Sequence, residues 1–178
     1  SIAPEILVTI CSAILILPMV LFSSIAGELA DKFDKATLVK LTKLAEIFIM
    51  SGVAFGFYTQ NIPLLMVLLF FSGMHSAFYV PIKFSILPQH LKHGELLAGN
   101  GFIASGSYLA ILAGMIAGGL IIEKPNNLIG TVAISISLIG FVASLFIPPA
   151  PSAHPQTTIS FNLWKGSLNI IAHARRDD

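Results

Sequence analysis

Long apolar runs, interrupted at short intervals by charged or polar clusters, organise this chain. No charged residue lies between Glu5 and Glu28, and the next uncharged stretch extends from Ile47 to Ile82. The second run is too long for one crossing, since about 20 apolar residues cover ~30 Å of hydrocarbon. The polar turn Thr59-Gln60-Asn61, followed by Pro63, divides it. Further runs lie between Glu95 and Glu123 and before the Pro148-Pro149 pair. The pattern predicts five membrane-spanning helices, at about 6–26, 41–59, 62–83, 97–122 and 128–147. Helices are required because a backbone amide in hydrocarbon must find its partner within its own segment or in a closed barrel. The period-two alternation of barrel strands is missing. After the last run, Phe161, Trp164, Leu168 and Ile171 recur at helical spacing, with Lys165, Asn169 and His173 on other faces. That spacing predicts an amphipathic helix along a membrane surface, reached through the Pro-rich linker 148–155. The chain thus divides into a transmembrane part, 1–148, and a tail, 149–178.

Charge orients the bundle. Lys32, Lys35, Lys40 and Lys43 follow the first run, Lys83 and Lys92 the third, and Lys165, Arg175 and Arg176 occupy the tail. Nine of the ten basic residues therefore fall on one side, which the positive-inside rule makes cytoplasmic. Ser1 is then placed on the outer side without a basic leader before it, and one further upstream helix is expected. Composition agrees with a membrane class. Charged residues make up 11% of the chain, under half of the roughly 25% usual in soluble domains. A net charge of +1 gives no ground for a nucleic-acid partner. The single cysteine, Cys11, lies in an apolar run and reads as a small packing residue. No phosphate-binding glycine loop, Cys/His metal spacing or nucleophile elbow occurs, so no cofactor, metal or catalytic residue is expected. His173 and Asp178 match the H-x4-D spacing of glycerolipid acyltransferases, and with no catalytic domain around them they read as coincidence.

The first basic loop reads Gly27-Glu28-Leu29-Ala30-Asp31-Lys32-Phe33-Asp34-Lys35-Ala36. Gly27 would let two helix ends approach, Asp31 would accept amide hydrogen bonds at a helix N-terminus, and Lys32 and Lys35 would pair with it. This run resembles the G-x-L-a-D-r-x-G-r-r signature of the major facilitator superfamily, with Asp34 where the signature has glycine. Gly101, Ala110, Gly114, Gly118 and Gly119 resemble that superfamily's fifth-helix glycine pattern, with Met115 in place of its proline. Apart from any family, Gly106, Ala110, Gly114 and Gly118 recur every four residues, a smooth stripe suited to close helix packing or to a rocking seam. More narrowly, the stretches Ser76–Leu91 and Gly99–Gly101, the Asp34-containing loop and the Phe146–Pro151 exit resemble bacterial lysophospholipid transporters.

The resemblance implies helices two to six of a six-helix half-bundle, followed by the loop between two halves of a twelve-helix secondary transporter in the bacterial inner membrane. The first helix and second half would be its partners in the same chain, with membrane lipids around them. The implied activity is carriage of a lysophosphatidylethanolamine-like lipid from the outer to the inner leaflet, in some relatives beside fused acyltransferase domains. A membrane anchor for such an enzyme, or a carrier of another small molecule, is the alternative.

Ionisable groups in a span are costly and need a partner or a purpose. Glu46, three residues after Lys43, reads as an ion pair or as a gate contact. Lys83, after Pro81, reads as snorkelling to the interface or as meeting a headgroup. His75, the most interior ionisable group, reads as a packed histidine or a proton carrier. Asn100, Ser105, Ser107 and Tyr108 read as helix-to-helix hydrogen bonders or cavity lining. The pairs Phe70-Phe71 and Phe78-Tyr79 read as facing lipid or lining an acyl path.

Overall fold

A computed structural model describes residues 3–121, 126–152 and 156. The predicted tail helix, residues 153–155 of its linker, and His173 and Asp178 lie outside the described residues. The elements are helices α1 (Pro4–Lys32), α2 (Lys35–Tyr58), α3 (Ile62–Ser85), the single turn α4 (Leu87–His90), a 3-10 turn (His93–Glu95), α5 (Leu96–Ile121) and α6 (Asn126–Leu145). No strand occurs among the described residues. The all-α membrane class is borne out, with the five long helices where the apolar runs place them. Four of the five qualify as spans on length and apolarity. The exception is α2, whose 24 residues are long enough but whose first half carries Lys35, Lys40, Lys43 and Glu46.

Two boundaries differ from expectation. Helix α1 does not stop near residue 26 but continues to Lys32, and α2 starts at Lys35, six residues earlier than expected. The signature is therefore mostly the last turns of α1, and the connection shrinks to Phe33 and Asp34. Charged side chains are tolerated in those turns because they project from the lysine-rich end of the bundle. Asn61 caps α3, its side chain accepting from the Leu64 amide at 3.0 Å, with Pro63 in the first turn. The reversal before it is closed by Gln60 in the left-handed region, φ 52°.

Helix α3 packs along α1 on one side and α2 on the other, and α2 packs in turn on α6. Where α1 crosses α3, Gly73 lies against the Leu15 carbonyl and the ring of the fully buried Pro18. Where α2 crosses α6, Gly130 lies against Ala54. Absent side chains thus let backbones meet, the usual device where lipid removes any hydrophobic preference between helices. Ala30, Leu38, Val39 and Ile82 form the core at the lysine-rich end, with Leu29, Tyr79 and Ile147 packed on it. Helix α5 is held mainly at its first turns, through α4 and the 3-10 turn, and has no buried residue. Its stripe is consequently not a packing seam among the described residues. A side chain added at Gly101, Gly106, Gly114, Gly118 or Gly119 would meet nothing within 4 Å.

Candidate functional site

The face of α3 that carries His75, Tyr79 and Lys83 repeats every four residues, so the three side chains stand one above another. Helix α2 brings Lys43 and Glu46 to the same seam. Lys43 Nζ donates to Glu46 Oε2 at 2.7 Å, both side chains about four-fifths buried (18% and 20% exposed). The same carboxylate oxygen lies 3.9 Å from His75 Nε2. The His75 ring stacks on Tyr79, centroids 5.8 Å apart and planes within 12°. The Lys43 ammonium stands 4.6 Å from the centre of the Tyr79 ring, and that of Lys83 stands 5.9 Å from it. An aromatic face attracts a cation by its quadrupole, so the phenol spaces two ammonium groups that would otherwise repel.

Lys83 leads into a hollow. Its Nζ donates to Ser107 Oγ of α5 at 2.9 Å, while that hydroxyl donates to the Ile103 carbonyl at 2.6 Å. The hollow has a volume of about 480 Å³ and is walled chiefly by Val39, Ile86, Phe102, Ile103 and Ile147, with Tyr79, Lys83, His90 and Ser107 as the polar side chains of its lining. A smaller hollow of about 260 Å³ lies beyond Tyr79, between Lys43 and the Gly140–Ser144 turn of α6. Val39, Tyr79 and Ile147 line both. Lys43 and Lys83 against Glu46 leave the cluster one positive charge in excess while His75 is neutral. An apolar hollow with a surplus cation suits an amphiphile whose polar end is anionic.

The structure thus gathers Glu46, His75 and Lys83, together with Lys43, Tyr79 and Ser107. It does not bring in Asn100, which is exposed on α5, nor Ser105 or Tyr108, also exposed. Phe78 packs on Phe22 of α1, ring centroids 6.0 Å apart, so the Phe78-Tyr79 pair divides between packing and site. Sequence reading overlooked Tyr79 as the centre of the cluster, although its spacing from His75 and Lys83 was visible.

The signature loop makes a second arrangement, and it corrects the expected roles. Asp31 is exposed in the last turn of α1 and caps nothing; the cap of α2 is Asp34. Asp34 Oδ1 accepts from the Thr37 amide at 2.7 Å and the Thr37 hydroxyl at 2.8 Å, while Oδ2 accepts from the Ala150 amide at 2.8 Å. The Lys35 amide donates back to the Ala150 carbonyl at 2.9 Å, and Ser152 Oγ donates to the Asp31 carbonyl at 2.8 Å. The segment leaving α6 is thereby strapped across the junction of α1 and α2. Asp34 has an extended backbone, φ −60° and ψ 121°, so glycine is not needed there. Lys32 and Lys35 form no ion pair with Asp31, and Lys35 is buried at 2% exposure. Gly27 faces open space rather than a neighbouring helix.

Burial works against ionisation of Asp34, but the hydroxyl and amide of Thr37, the Ala150 amide and the charge of Lys40 outweigh it and hold the carboxyl below its ordinary range. A depressed carboxyl stabilises the fold above its ordinary titration and loses that contribution as the pH falls through its folded value. Asp34→Ala is expected to cost about 1 kcal/mol for the lost cap and about 1–3 kcal/mol for the orphaned, fully buried Ala150 amide. Thermal unfolding of the purified protein measures it. The gap between wild type and Asp34→Asn should close as the pH is taken down through about 4 and below.

Apolar helices with charges gathered at their ends, and an ion-paired cluster inside, define a multi-pass α-helical membrane protein. The chain belongs to the major facilitator superfamily, whose family model matches residues 3–176. It is 28% identical over 142 residues to the "Lysophospholipid transporter LplT" of Enterobacter sp. (strain 638), covering 80% of this chain and 34% of that protein. It is 27% identical over 160 residues to the protein of the same name from Escherichia coli O139:H28, covering 89% of this chain and 38% of that one. The chain therefore spans about a third of the length of the curated relatives it matches. No solved structure matches it.

Proposed function

We propose that this chain is the first-half bundle, from the second helix onward, of a transporter that carries a lysophospholipid from the outer to the inner leaflet. The observation that carries this reading is the largely apolar hollow of about 480 Å³ with the Lys83–Ser107 pair on its wall. The Lys83 ammonium gives one of its three hydrogens to Ser107 and so has donors left for a phosphate, and the surrounding aliphatic and aromatic wall suits the first carbons of an acyl chain. The names of the relatives point to the same class of cargo. Movement would come from rocking of two half-bundles around this site, with the lysine-rich end facing the cytoplasm. The first helix and the second half of the parent chain would close the open side of α5.

The full-length parent in proteoliposomes provides the test. Labelled lysophosphatidylethanolamine in the outer leaflet should become protected from an impermeant outside reagent, and Lys83→Gln should reduce the initial rate at least tenfold. No protection with well-folded wild-type protein would reject transport and favour a membrane anchor for an attached enzyme. Entry of a labelled soluble sugar, with no protection of the labelled lipid, would reject the lipid class.

A further inference from the structure

We propose that His90 is a headgroup contact at the cytoplasmic mouth of the hollow, where it receives the phosphate of the lysolipid after Lys83 and before release into the inner leaflet. The proposal rests on the lysolipid reading of this hollow. It starts from register. Helix α3 ends at Ser85, but Ile86 keeps helical angles, φ −76° and ψ −26°, and α4 carries the turn on to His90. Lys83 and His90 are therefore close to two full turns apart and share one face, separated by about 10 Å along the axis. Both line the hollow, and so does Ile86 between them. Lys83 is partly buried, whereas His90 is exposed. The lining thus has a cation within and an imidazole where the hollow meets water at the lysine-rich end.

A departing phosphate needs such a group. Apart from Tyr79, Lys83, His90 and Ser107, the described lining has apolar side chains or none. Ser107 gives its one hydrogen to the Ile103 carbonyl, so it holds Lys83 and has no donor for a ligand. A phosphate that left Lys83 would lose its donors before reaching bulk water, and an unpartnered charge against an apolar wall is costly. His90 stands at the far end of that gap. An imidazole has an N–H donor even when neutral, so it can take a phosphate oxygen without any change of protonation. The described lining holds no carboxylate to compete for it.

The turn that carries His90 is held at two points. Gln89 Nε2 donates to the Pro151 carbonyl at 2.8 Å, in the segment strapped to Asp34. The Leu91 side chain lies against Gly99 of α5, where a Cβ would have no room. Between them, the Leu91 amide closes the turn on the Leu87 carbonyl at 2.9 Å. A contact that must meet a passing headgroup requires such a fixed position. Lys92, the next cation along the chain, is exposed and takes no part in the lining.

The experiment uses the full-length parent in proteoliposomes, sorted for those with the cytoplasmic end facing the lumen. Protection of labelled lysophosphatidylethanolamine is followed with glycerophosphoethanolamine sealed inside, a headgroup without an acyl chain that competes from the luminal face alone. His90→Leu should lower kcat about tenfold with KM unchanged, the loss expected when a hydrogen bond to a charged group forms only after substrate has bound. It should also raise, by about tenfold, the luminal headgroup concentration that halves the rate. His90→Gln keeps an N–H donor and should recover most of both, while Lys92→Gln should match wild type. His90→Glu repels a phosphate and suits an exposed position; it should lose at least as much as His90→Leu, and it decides the matter if the leucine variant folds poorly. Wild-type kcat and headgroup sensitivity in His90→Glu overturn this contact and leave the lysolipid reading standing. A raised KM at unchanged kcat, or an equal loss in Lys92→Gln, overturns it as well. Absence of lipid protection by the wild type overturns the lysolipid reading, and this inference with it.

Discussion

Gly73→Leu is expected to leave no monodisperse protein after extraction into detergent, and Gly73→Ala to lower thermal stability by about 1–3 kcal/mol. The reason lies in what a new Cβ would meet. At Gly73 it meets the Leu15 carbonyl, backbone of α1, beside the buried Pro18 ring at 3.2 Å. A flexible side chain can swing away from such a contact, whereas a helix backbone must move as a body. Displacing α1 from α3 would open the longest contact in the bundle and pull Ala30 from the core at its other end. Gly52 supplies the control. Its added Cβ would meet only the Leu68 side chain, so Gly52→Ala should cost a few tenths of a kcal/mol. Size-exclusion profiles and thermal unfolding of the two alanine variants, side by side, measure the difference. Equal stability of Gly73→Ala and Gly52→Ala would show that α1 does not rest on α3 as described.

How far this bundle was legible in the sequence depends on which cost governed each feature. The helices were legible, because unpartnered amides in hydrocarbon cost several kcal/mol each and leave the chain no alternative. The end of α1 was not. Glu28, Asp31 and Lys32 look like loop residues, but they stand in helical turns whose other side buries Ala26 and Ala30. Because the helix runs on, the capping carboxylate becomes Asp34, three residues beyond the one the signature suggested. The Lys43–Glu46 pair followed from i, i+3 spacing alone, since local geometry determines it. Tyr79 was half legible. Its register with His75 and Lys83 is local, but the arrival of Lys43 from α2 and Ser107 from α5 depends on how three helices cross. The stripe on α5 could be read as smooth but not as bare, for periodicity reports a surface and says nothing of what covers it.

The same cluster sets a sharper expectation for charge. Glu46→Ala should destabilise the protein by about 3–5 kcal/mol, and the double variant Lys43→Met, Glu46→Met should recover most of that loss. A four-fifths-buried ammonium is tolerable at its present depth because a carboxylate lies 2.7 Å away. Removing the carboxylate alone leaves the Lys43 charge beside a histidine that gains nothing from protonation. Removing both leaves methionine side chains, which pack against Tyr79 and the Gly140 face of α6 without any desolvated charge. Stability and function should then separate. The double variant should fold near wild-type stability yet transport lysophospholipid at least tenfold more slowly, because it lacks the second cation over Tyr79. A double-mutant cycle of thermal stabilities, read beside the flip assay, gives both numbers. If Glu46→Ala and the double variant lose stability equally, the carboxylate is not compensating Lys43, and the charge count of this site is wrong.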